Sequence, residues 1–402
     1  MRPAMPDDDQ VLATADAWEN TGDDLGNAIA ADGPDAVQAH PSLVWPPALP
    51  RTTYNYHVSP SGSDSNPGTS TAPFKTLARA ARAATRPGTT VWVAPGRYTG
   101  GFKTTAHGTA TARIHWVSTG QRAAVIVPDP LSSAQAAWDN RGHHVSIYGF
   151  QVDGTGGKHW RFGLYSGGSY TRYEGNHVHH VANDVPCDGT GGAGIEVDSY
   201  YQGVLGDVVG NVVHDIGDNP FEPNPCVRIQ GIYMATSGSV VNNVVYRASY
   251  GAIHLWHDAS NVKIINNTAA SSGYGVIVGG GDFRRPPYVA DNVHVHNNIV
   301  YDNTYGIGEI GAVGRNTTYR NNLVYLNRLS NWRLQSGKTH TGTVTADPLL
   351  VSYSRTASPP DLHLTPASPA IGRALSTYAP ATDHDGKPRG GSAGYDIGAY
   401  QH

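Results

Sequence analysis

Charge is scarce in this chain. Of its 402 residues only 15% are charged, against roughly 25% in ordinary domains. The net charge is −4, so nothing suggests a nucleic-acid partner, which a strongly basic surface would attract. Long apolar runs are also missing. None approaches the ~20 residues that a membrane helix needs, so a membrane is not an expected partner. No basic stretch followed by an apolar one opens the chain, so no export signal is read there. Cysteine is limited to Cys187 and Cys226, and no partners at zinc-ligand spacing accompany them.

What the chain has in quantity is glycine, 48 residues, and asparagine at fixed places. Both suit tight turns between short strands. An asparagine pair recurs ahead of an apolar pair and a Tyr-Gly-Ile-like step. It reads Asn242-Asn243-Val244-Val245 before Tyr250-Gly251-Ala252-Ile253, then Asn266-Asn267 before Tyr274-Gly275-Val276. It returns at Asn297-Asn298-Ile299-Val300 before Tyr305-Gly306-Ile307, and at Asn321-Asn322-Leu323-Val324. Looser copies stand at Asn211 and Asn176. From Asn176 on, the steps between second asparagines are 35, 32, 24, 31 and 24 residues. Periods of this size mean a solenoid. Alternation such as Val262/Ile264 and Val293/Val295 makes the unit one of short strands. The reading is all-β, a right-handed parallel β-helix whose coils stack ~4.8 Å apart. The second asparagine of each pair is expected to form an internal ladder of amides.

Residues 1–50 contain nine acidic residues and one basic one, Arg2, and end in Pro-Pro-Ala-Leu-Pro. We read 1–52 as an extension and linker with a short helix near 11–18, and 53–402 as the β-helix domain. Tyr54 opens a first strand. Residues 77–85 place Leu77, Ala80, Ala81 and Ala84 on one helical face. That helix should cap the open end of the solenoid. Cys187 and Cys226 fall in corresponding loops of consecutive coils, near enough to bridge. A bridge favours an oxidising, extracellular setting; two buried free thiols are the other reading.

The first strand and cap, the asparagine coils, and the ending Asp383-His384-Asp385-Gly386-Lys387-Pro388-Arg389 with Asp396-Ile397-Gly398-Ala399-Tyr400 together resemble secreted β-helix proteins of the pectate-lyase-like superfamily. The resemblance covers about residues 54–402. It implies a secreted monomer acting on polysaccharides, as a lyase on uronic-acid chains, a glycoside hydrolase or an epimerase. Relatives often use Lys or Arg as base with Ca²⁺ as the carboxylate clamp. Fold alone does not fix function.

Aligning the coils gives a column of outward residues, Glu196, Tyr233 and His254, flanked by Asp198 and Trp256, with neighbours ~5 Å apart. No lysine falls among these. Loop lengths point to the same place. The second asparagine normally precedes the inward Ile or Val by nine or ten residues, but by 19 for 176→195 and 21 for 211→232. Inserts at 183–192, 215–228 and 279–290 should therefore wall a groove across the column.

Two chemistries fit. In β-elimination His254 is the base and Tyr233 the acid, or one tyrosine does both, with Arg228 the clamp for the substrate carboxylate. Trp256, His257, Arg284 and Arg285 would bind sugar. Glu196, Asp198 and Asp188 offer oxygen ligands for Ca²⁺. In hydrolysis Glu196 and Asp198, about 7 Å apart on one strand face, form an inverting acid–base pair. A third reading is a non-catalytic glycan-binding, adhesin or spike protein. A second outward column, His179, His214, Tyr246, Tyr301 and Tyr325, reads as a structural aromatic stack. His294 and His296 read as ordinary surface or turn residues.

Overall fold

The structure, a computed structural model, describes residues 49, 53–157, 160–281, 289–335, 337–356 and 359–402. The expected helix at 11–18, most of the acidic extension, and Asp282, Arg284 and Arg285 lie outside the described residues.

Three parallel sheets of 11, 9 and 9 strands run along the molecule. Successive strands join different sheets, and within a sheet neighbours are three strands apart in sequence, after the first pair. Each turn of chain therefore lays one strand on each sheet. This is the right-handed parallel β-helix that the repeats and the resemblance implied. Sheet one (11 strands) runs from Tyr54–Val58 to His340–Thr341. Sheet two (9 strands) runs from Phe102–Thr104 to Ser330–Arg333, and sheet three (9 strands) from Gly96–Thr99 to Leu323–Tyr325.

Inward residues stack in register. Phe102, Trp138, Leu164, Ile195, Ile232, Ile253, Val276, Ile307 and Trp332 form one such file. Ile195, Ile232 and Ile253 are fully buried. The Gly of the Tyr-Gly-Ile step has a steric cause: a Cβ on Gly231 would lie 2.5 Å from Val245 Cγ1 on the neighbouring sheet. The N-terminal end is closed by the helix Leu77–Ala83. Thr76 caps it, its Oγ1 accepting from Arg79 N–H at 3.1 Å. Leu77, Ala80 and Ala84 are buried and Ala81 is half-buried.

The asparagine ladder is continuous. Asn176, Asn211, Asn243, Asn267 and Asn298 each donate from Nδ2 to Oδ1 of the next asparagine, ending at Asn322, at 2.9–3.0 Å. A second, shorter ladder runs Asn303, Asn327, Asn331, and Asn303 Oδ1 accepts from Ser272 N–H. The first asparagines of the pairs do something else. Asn242, Asn266, Asn297 and Asn321 sit at φ between 50° and 60°, a region asparagine tolerates well. Their side chains face outward and bond the C-terminal tail: Thr382 O, Asp396 O, Leu375 O and Arg373 O.

The tail motif is thus part of the scaffold. Asp383 and Asp396 are fully buried, and the buried Arg389 guanidinium donates to Asn242 Oδ1, Gly398 O and Ala399 O. Desolvation pulls the Arg389 pKa down to about 10. Leu362 and Ala399 pack over Val244, Tyr246 and Ala270 of sheet three. The second column lies here: His179, His214, Tyr246, Ala270, Tyr301 and Tyr325 are in register. The stack is interrupted at Ala270 and its rings otherwise lie nearly parallel, with His214 and Tyr246 4.7 Å apart at 3°.

Candidate functional site

Sheet two carries the first column in the register expected. Glu196 pairs with Tyr233, Tyr233 with His254, and His254 with Ile277. The column is longer than the asparagine repeat revealed. Upstream it continues through Tyr165 and Asp139 to Lys103, so a lysine does belong to it. Lys103 Nζ lies 3.5 Å from Asp139 and five strand steps from His254. Downstream the column passes Gly308 to Arg333.

The inserts 183–192 and 215–228 enter the strands Gly192–Val197 and Ile229–Met234. They are joined by the disulfide Cys187–Cys226, with Cα atoms 5.6 Å apart. Arg228 is half-buried at the start of the second of these strands, its carbonyl accepting from Gly192 N–H at 3.0 Å.

His254 has an unusual environment. It is 9% exposed, and neither ring nitrogen has a hydrogen-bond partner. Aromatic rings enclose it: Tyr233 at 5.3 Å, Tyr250 at 5.8 Å and Trp256 at 6.1 Å between centroids. His257 stands 5.9 Å from Tyr233. Desolvation, with the charge of His257 second, lowers the His254 pKa to about 3. The imidazole is therefore neutral across the physiological range. Trp256 is 5% exposed. A Cβ on Gly279, Gly281 or Gly311 would come within 2.5–2.7 Å of its ring, so Trp256 lies flat over a glycine patch and leaves little open face for a sugar.

Glu196 is 8% exposed. Desolvation, and then the charge of Asp198, push its carboxyl well above the usual range, with Arg141 opposing. Asp198 is held by Tyr165, whose hydroxyl donates to Oδ2 at 2.5 Å, and by Tyr200 N–H at 3.0 Å to Oδ1. Arg141 pairs with Asp139 and stacks over Tyr165 and Tyr201, at 4.9 and 3.4 Å from the ring centres. Arg141, Tyr165 and Asp139 were missed because the alignment started from the asparagine pairs. The turn before Phe150 has none: Phe150 N–H supplies the first rung to Asn176 Oδ1.

The oxygens offered for Ca²⁺ do not fit that ion. Asp188 is exposed and engaged, its Oδ2 by Arg161 at 2.8 Å and its Oδ1 by Thr190 N–H. Asp198 is bonded on both oxygens, and Glu196 is biased toward its neutral form, which coordinates poorly. No group of three His, Cys, Asp or Glu among the described residues converges on one point.

A family profile described as a protein of unknown function, DUF1565, matches residues 60–105. None of the curated proteins matches the chain. Among solved structures, pectate lyase Pel9A is 16% identical, with a TM-score of 0.47, over 87% of this chain and 97% of that one. A rhamnogalacturonan lyase is 16% identical, with a TM-score of 0.44, over 75% and 91%. The A-module of the Azotobacter vinelandii mannuronan C-5 epimerase AlgE4 is 16% identical, with a TM-score of 0.45, over 67% and 69%. Likeness this distant assigns no reaction to the chain.

Proposed function

We propose that the protein is an extracellular carbohydrate-active enzyme that cleaves a uronic-acid-containing polysaccharide by β-elimination across the Glu196–Tyr233–His254 column. The observation that carries this reading is the buried, neutral imidazole of His254 with both nitrogens unpartnered. A buried polar group without a partner needs an explanation, and a base awaiting its proton supplies one. In the step, His254 takes the proton from the carbon next to the substrate carboxylate. That electron pair becomes the new C=C bond as the C–O bond to the departing sugar breaks. The leaving oxygen takes the proton of Tyr233. A substrate carboxylate arriving beside His254 raises the proton affinity that burial has lowered. Arg228, just before the strand that bears Tyr233, is the cation assigned to clamp that carboxylate. The disulfide suits an oxidising compartment.

A second reading has its own support. Glu196 is held toward its protonated form beside Asp198, the kind of environment a glycosidase acid requires. The two are separated by incubating the purified protein with acidic and neutral polysaccharides while absorbance near ~235 nm and reducing ends are followed together. The unsaturated product of elimination absorbs there, and rising absorbance supports the proposal. New reducing ends without absorbance move the chemistry to Glu196 and Asp198. Silence on both, with polymer retained in a pull-down, leaves a binding protein.

A further inference from the structure

The column of His254 runs on past the proposed reacting groups. Three strand steps further, through Ile277 and Gly308, it reaches Arg333, about 14 Å away along the solenoid. Arg333 is exposed. It makes no ion pair among the described residues, and two tyrosines engage its guanidinium. The guanidinium donates to the Tyr274 hydroxyl and lies over the Tyr305 ring, 4.7 Å from its centre. Gly308 makes room for this: a Cβ there would fall 2.9 Å from Tyr274 Cε1. Tyr274 stacks on Tyr305 at 4.6 Å and meets Tyr250 edge-on at 5.4 Å, and Tyr250 stands 5.8 Å from His254. A run of rings therefore leads from His254 to Arg333.

The insert 215–228 takes the same course. Upstream the Cys187–Cys226 bridge holds it. Downstream its Phe221 ring meets the Arg328 guanidinium, 5.2 Å from the ring centre. Arg328 stands two residues before the strand Ser330–Arg333. That strand is four steps along sheet two from Ile229–Met234, the strand the insert enters. The loop thus walls the downstream half of the column as far as the coil of Arg333.

From this arrangement we infer that Arg333 is a distal carboxylate-binding residue of the groove, holding an acidic sugar remote from the one that is cut. Two tyrosines fix the guanidinium, no acid neutralises it among the described residues, and the rest of its donor fork is left for a ligand. A planar fork of this kind matches a carboxylate. Fixing it in advance lowers the entropy cost of binding. A contact this far from the reacting bond is made equally before and during the reaction, so it lowers KM and leaves kcat alone. It also favours long acidic chains, since a short one cannot reach Arg333 and His254 together. The inference rests on the proposed function for placing the cut at His254.

The test has two arms. In the first, the His254→Ala protein, in which turnover is not expected, is titrated with hexagalacturonate and with the same oligomer fully methyl-esterified and so uncharged. Adding Arg333→Gln should weaken binding of the acidic oligomer tenfold or more and leave any binding of the ester as it was. Adding Arg320→Gln instead, which removes an exposed arginine on sheet one, should change neither. Arg333 reaches solvent, and unchanged thermal melts confirm that the variants fold. Indifference to Arg333→Gln, an equal loss with the ester, an equal loss from Arg320→Gln, or no saturable binding of the acidic oligomer overturns the inference. In the second arm the wild-type chain and Arg333→Gln are compared on polygalacturonate. KM should rise tenfold or more with kcat little changed; a fall in kcat at constant KM overturns the inference. Binding through Arg333 by a wild-type protein that leaves the polymer uncut sinks the proposed function and keeps the inference. Cleavage with KM unmoved by Arg333→Gln does the reverse.

Discussion

Two columns of polar side chains climb this solenoid at the same spacing and with opposite outcomes. In the asparagine ladder each internal rung is both donor and acceptor, and Asn243, Asn267 and Asn298 also donate to backbone carbonyls of sheet one. In the Glu196–Tyr233–His254 column, the buried imidazole has no partner, and the carboxyl is pushed toward neutrality by its burial and then by the charge of Asp198. A polar column that repeats from coil to coil can be satisfied by its own copies, so it is scaffold. A column whose residue type changes at every coil cannot be satisfied that way. At Glu196 and His254 burial is a cost that the copies do not relieve, and such costs gather where chemistry is done.

Breaking the ladder should give the largest loss of stability. Asn267→Ala removes two donated bonds and takes the acceptor from both Asn243 N–H and Asn243 Nδ2. With about 1–3 kcal/mol for each buried group left unpaired, a loss of about 3–5 kcal/mol is expected in urea unfolding. A loss under about 1 kcal/mol would show that the ladder is dispensable. Next comes the bridge between the two inserts. Replacing Cys187 and Cys226 by serine should cost about 2–4 kcal/mol. Turnover should fall further than the melting temperature suggests, because the bridged loops flank the column. Full activity after replacement would separate the inserts from the site.

The other two predictions sharpen the functional side. Tyr233→Phe keeps the ring against His254 and removes the proton donor, so turnover should fall on the order of 10²-fold with little change in stability. An unchanged rate would take Tyr233 out of the acid role. The smallest effect is the shape of the pH profile. A base must be unprotonated, so under elimination kcat/KM is lost as pH falls through the His254 pKa of about 3. An acid must be protonated, so under hydrolysis activity is lost as pH rises through the elevated pKa of Glu196. The limb that lies in the accessible range decides between them.

The ladder was legible in the sequence because one residue type must recur at one place in every coil, and the Glu196–Tyr233–His254 register followed from it. The second ladder had the same signal and went unread: Asn303 and Asn327 follow Asn298 and Asn322 at a single offset of five residues. The role of the first asparagines was not legible, since it depends on a tail more than 50 residues distant, as in Asn321 with Arg373. Lys103, Asp139, Tyr165 and Arg141 lie in coils without the asparagine marker, so sequence alignment of the coils could not reach them. The engagement of Asp188 by Arg161 and the burial of Trp256 are tertiary facts, invisible to spacing.

The most direct test of the contrast is to measure turnover and the urea midpoint of His254→Gln side by side with the wild type. The substitution keeps a polar side chain but removes the imidazole base. Turnover should drop by on the order of 10²–10⁴, while the midpoint stays where it was, because an unpartnered imidazole contributes no hydrogen bond to the fold. Near-normal turnover, or a midpoint that collapses with the rate, would contradict the assignment of His254 to chemistry rather than to scaffold.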